Sequence, residues 1–162
     1  MVVIPVDLST LIWNYLKTNA AAASLRALLV SGSSSVLEAG DVGASLLDSR
    51  ESTRRTGGNM NLALILAIQD GGSDPHEHPD KEYQYAVVRA YDRDRGYRNI
   101  RTVRMQLIEI LKGLPANVGP MGTRGLMSLD FTGRTGHRFD TTFAIDYEAI
   151  TYTGIVIDLV AD

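Results

Sequence analysis

The chain has 162 residues, 44% of them hydrophobic and 22% charged, which suits one soluble domain with a single core. Its 16 Lys plus Arg against 19 Asp plus Glu give a formal net charge of −3, an argument against a general nucleic-acid binder but not against a local basic patch. With no cysteine, disulfide scaffolds, thiolate zinc sites and cysteine nucleophiles are excluded. The opening MVVIPVDLST has no basic n-region, and Pro5 and Asp7 break its apolar run, so no signal peptide is expected. The longest uninterrupted apolar run, Leu62 to Ile68, falls far short of the roughly 20 residues that span a bilayer. The expectation is a soluble chain, intracellular when made.

The first predicted element is helical. Leu8, Leu11, Ile12, Tyr15 and Leu16 recur at three- and four-residue spacing, with Asp7 or Ser9 placed as the cap. Helix formers continue through Ala20 to Ala23, Leu25, Leu28 and Leu29, while Thr18 and Asn19 favour caps and predict a bent helix or a helical pair over 8–30. Residues 31–60 hold no apolar period for more than a few positions and read as a long loop or an arm. NLALILAI (61–68) then reads as a strand covered on both faces. A polar loop over 69–82 follows. Tyr83, Tyr85, Val87, Arg89 and Tyr91 alternate with Gln84, Ala86, Val88 and Ala90 in a period-two strand.

After the charged DRDRGYRN connection, Ile100, Val103, Leu107, Ile110 and Leu111 predict an amphipathic helix over 97–112, stopped by Gly113 and Pro115. The remainder reads as strand: LMSLDF (126–131), a hairpin connection at TGRTG (132–136), a strand within 138–150, and a closing run at 154–160. The order predicts one α+β domain over 1–162. Its sheet is mixed but mostly antiparallel, of about five strands, with an N-terminal helix, a helix packed on one face and long loops.

Signals for catalysis are weak. Asp74-Pro75-His76-Glu77-His78-Pro79-Asp80 holds sound metal-ligand types, but His76 and His78 lie two apart in a proline-flanked extended loop, without the four-residue helical spacing of HExxH sites. It reads best as a solvated loop, with a metal-dependent enzyme built on His76, Glu77 and His78 as a less favoured alternative. His137 has no Ser–acid pattern around it, and GPMGTRG (119–125) lacks the GK[ST] end of a phosphate loop. Asp146 and Glu148 fall on one strand face, which reads as solvent exposure rather than acid–base chemistry.

The notable charge feature is local. Arg89, Arg93, Arg95, Arg98, Arg101 and Arg104 stand against Asp92 and Asp94, a net of +4, interleaved with Tyr91 and Tyr97. Such a stretch suits bidentate anion contacts or protein docking, since Arg and Tyr are enriched at interface hot spots. The mildly acidic chain favours docking, with Arg93, Arg95, Arg98, Arg101 and Arg104 as the candidate interface. A small nucleic-acid binder using the same stretch is a further alternative.

The stretch YQYAVVRAYDRDRGYRNIRTVRMQLIEILKG resembles the strand–helix centre of tailed-phage tail terminators and related head–tail neck proteins. The matching positions are Val87, Val88, Ile100, Val103, Leu107, Leu111 and Gly113, and RFDTTFAIDYEAITY resembles the family's closing strand. The resemblance covers roughly 8–30 and 61–152. It implies a structural virion protein without enzymatic activity or cofactor, forming a ring, usually hexameric, that caps the tail tube, ends its elongation and joins tail to head. The implied partners are copies of itself, the tail tube protein and a head-completion connector, with DNA crossing the ring without specific binding and no membrane contact. The implied location is the tail or neck of the virion, reached from the host cytoplasm during assembly. A head-completion or stopper neck protein is the nearest alternative.

Overall fold

The computed structural model of the protein describes residues 7–29, 32–38, 64–75, 81–92, 97–117, 124–141 and 145–158. Helix α1 spans Leu8–Thr18. It starts because Asp7, in an extended conformation, accepts a hydrogen bond from Ser9 N–H at 3.0 Å, and it ends at Asn19. Asn19 turns the chain by accepting from Ala21 N–H, which opens a short 3₁₀ turn into α2 (Ala23–Arg26). The expected break at Thr18 and Asn19 is present. Arg26 fastens the two pieces by donating to the carbonyls of Leu16 and Asn19, both at 2.8 Å.

A second 3₁₀ turn leads to β1 (Val36–Glu38). It is followed by β2 (Leu64–Pro75), β3 (Lys81–Asp92), α3 (Tyr97–Leu111), the short α4 (Leu114–Asn117), β4 (Arg124–Arg134), β5 (Arg138–Asp140) and β6 (Ile145–Asp158). The six strands form one sheet in the order β1-β2-β3-β6-β4, with β5 also on β6. Only β1 pairs in parallel; every other pairing is antiparallel. This is the expected α+β fold with a mostly antiparallel mixed sheet.

Several boundaries differ from the sequence reading, each for a physical reason. Segment 31–60 contributes a strand, because Val36 to Glu38 pair with Leu66 to Ile68 of a distant strand, a partnership that three residues cannot advertise. Residues 39–60 of the expected arm lie outside the described residues. The expected loop 69–82 is much shorter, since β2 continues past an irregularity between Asp70 and Ser73 and resumes pairing at Ser73 with Gln84. The two closing strands are one: β6 runs through Thr151 to Thr153 without a turn, paired along its length with β3.

TGRTG is not a hairpin connection either. Thr135 keeps the chain on β6 by donating its N–H to the Ala149 carbonyl (3.0 Å) while its Oγ1 accepts from Ala149 N–H (3.1 Å). Gly136, at φ +71°, takes up the kink in the left-handed region. Strands β4 and β5 are therefore two segments of one bent edge strand, folded back on β6 as a long hairpin.

The core lies between the helices and one face of this sheet. Leu66, Ile68, Ala86, Val88, Ala90, Ile150, Tyr152 and Val156 meet Leu8, Ile12 and Leu16 of α1 and Ile100, Val103, Leu107 and Leu111 of α3, all within 3% of fully buried. Small residues let the helices sit close. A Cβ on Gly154 would meet Leu8 Cδ2 at 3.0 Å and Leu126 Cδ1 at 3.1 Å. The other sheet face carries Tyr83, Tyr85, Val87, Arg89, Ile155 and Ile157, all half-buried.

Candidate functional site

Of the five arginines expected to form one docking surface, the side chains of Arg101 and Arg104 are described, and they differ in exposure. Arg93 and Arg95 lie outside the described residues, as does the side chain of Arg98 in α3. Arg101 is exposed on α3. Arg104 is turned inward and only 9% exposed, which removes it from the expected outward set. Its Nη1 donates to Glu148 Oε1 at 2.8 Å and Oε2 at 3.0 Å. Arg89 sits on the opposite sheet face, its guanidinium 5.9 Å from the centre of the Tyr147 ring.

Glu148 corrects a second expectation. It is fully buried, on the helix-facing side of β6 with Ile150 and Tyr152, rather than exposed to solvent. A buried carboxylate is tolerable only when its charge is answered, and Arg104 answers it from α3. A second guanidinium approaches from the edge strand: Arg134 Nη1 lies 3.7 Å from Glu148 Oε1, with nearly half of its side chain exposed. Two guanidinium groups thus approach one buried carboxylate, one from α3 and one from the edge strand. Asp146 is mostly covered and pairs with His137, Nε2 to Oδ1 at 3.1 Å.

The signal for the buried pair was present in the spacing. Position 104 falls on the same helical stripe as Ile100, Val103, Leu107 and Leu111, and position 148 has the parity of Ile150, Tyr152 and Val156. An arginine on an apolar helical stripe and a glutamate on an apolar strand face are natural counterions for each other.

The bent edge strand is the most exposed apolar feature of the described residues. Of the four exposed large hydrophobic side chains, Met127, Phe131 and Phe139 belong to it, and Met105 on α3 is the fourth. Register breaks between Leu126 and Ser128 and between Phe131 and Gly133 interrupt its pairing with β6. Such bulges re-aim side chains and blunt an edge against continuous strand addition. Met127, at the first break, is 57% exposed. Phe131 packs edge-on against Tyr152, with ring centres 6.1 Å apart.

The opposite edge has a different character. Strand β1 is only three residues long, and Trp13 of α1 donates its indole N–H to the Val36 carbonyl (3.1 Å), with Lys17 over the indole ring. Beside the last described residue of β1, a notch of about 330 Å³ among the described residues is lined by Asp7, Glu38 and Asp70 together with Ser9, Thr10, Ile68 and Gln69. The Asp7 carboxylate is engaged at the helix start with Ser9 and Thr10, whereas Glu38 and Asp70 are exposed.

His76, Glu77 and His78 lie outside the described residues, as do residues 119–123 of the glycine-rich segment. Among the described residues, no group of three or more His, Asp or Glu side chains is arranged to hold a metal ion. No described helix is long and apolar enough to cross a membrane. No protein-family model matches the chain, and no curated protein matches it.

Proposed function

We propose that the protein is a ring-forming structural subunit of a tailed-phage neck, a tail terminator that caps the tail tube, ends its elongation and joins the tail to the head. The observation that carries this reading is the contrast between the two edges of one sheet. One edge exposes Met127, Phe131 and Phe139 beside the Arg134 guanidinium, and the other, among the described residues, is short and acidic. Unlike patches on opposite sides of one subunit are what a heterologous, ring-closing contact requires. Exposed aromatic and methionine side chains with arginine at their margin have the composition of an interface core. The resemblance of residues 83–113 to the terminator centre supplies the rest: the tube, the head connector and the DNA that crosses without specific binding. On this reading the chain performs no catalytic step and needs no cofactor, and its place is the virion neck after assembly in the host cytoplasm.

The purified full chain, studied by native mass spectrometry and single-particle averaging, is expected to give closed rings of about six copies and to bind the open ends of tail tubes. Rings that bind portal-bearing heads and ignore tubes would reassign it to head completion. A chain that neither closes into rings in solution nor assembles on tube ends would overturn the proposal.

A further inference from the structure

We draw no further inference here: the strongest candidate, the exposed apolar strip that Met127, Phe131 and Phe139 form along the β4–β5 edge of the sheet, carries nothing because nothing among the described residues shows what covers it.

Discussion

The two faces of the central sheet handle polar and apolar groups in opposite ways. Beneath the helices the strands present Ala86, Val88, Ala90, Ile150 and Gly154, small or aliphatic groups, together with the aromatic Tyr152 and two exceptions that carry an amide or a charge, Gln84 and Glu148. Both exceptions are answered from the helical layer. Gln84 Oε1 accepts from Leu8 N–H at 2.8 Å, satisfying a first-turn donor that has no partner within the helix, and Arg104 answers Glu148. The other face holds the large aromatic groups, Tyr83, Tyr85 and the Tyr91–Tyr147 pair, ring centres 5.5 Å apart, and most of this face is only half-buried. Side-chain size alone would bury the tyrosines and expose the glutamate. What decides the matter is close packing: helices approach a sheet through small residues, and a charge or amide beneath them is stabilising when a specific donor or acceptor reaches it.

The contrast breaks most severely at Glu148. Glu148→Ala removes the buried carboxylate that Arg104 meets at 2.8 Å, and is expected to cost about 3–5 kcal/mol, measured by urea denaturation. Replacing the pair together, with Arg104→Met and Glu148→Leu, is expected to cost far less, because no uncompensated charge remains. Equal losses for the single and double variants would mean that packing, not charge, governs the site. Leu107→Ala on the buried stripe of α3 is expected to cost about 2–5 kcal/mol through lost transfer energy and a residual cavity. Gln84→Met keeps the volume and deletes the acceptor, so the buried Leu8 N–H loses its partner, at about 1–3 kcal/mol.

The same distinction explains how much of the molecule was legible beforehand. Helices α1 and α3 and strand β3 follow local rules, a cap, a 3.6-residue stripe and strict alternation, and each lies close to where those rules put it. Strand β1, the continuation of β2 and the union of the last two strands depend on partners far along the chain, which local pattern does not contain. Gly154 reads as the start of a new strand because glycine usually punctuates, whereas here it makes room for Leu8 and Leu126. The candidate interface fared similarly. Composition marked an arginine-rich stretch, but the helical stripe turns Arg104 into the core, and Arg134, the second guanidinium near Glu148, sits in a segment resembling a turn.

Tyr152 sharpens the comparison from the other side, as a buried polar group on the helix face that no described residue answers. It is 2% exposed, its hydroxyl has no hydrogen-bond partner among the described residues, and burial holds its ionisation well above the ordinary tyrosine range. Gln84 and Glu148 stabilise the fold because of what reaches them, so removing this hydroxyl should carry no such loss. Tyr152→Phe is expected to be neutral or to stabilise by up to about 1 kcal/mol at neutral pH. The sign at alkaline pH follows from linkage. The native state keeps the phenolic proton to higher pH than the unfolded chain does, so this residue's contribution is full below about pH 10 and declines as pH rises beyond it, by up to about 1.4 kcal/mol per pH unit. Urea melts at neutral pH and near pH 10.5 should therefore show the Phe variant gaining on the parent at the higher pH. A loss of 1–2 kcal/mol at neutral pH would reveal an answered hydroxyl and place Tyr152 with Gln84 and Glu148.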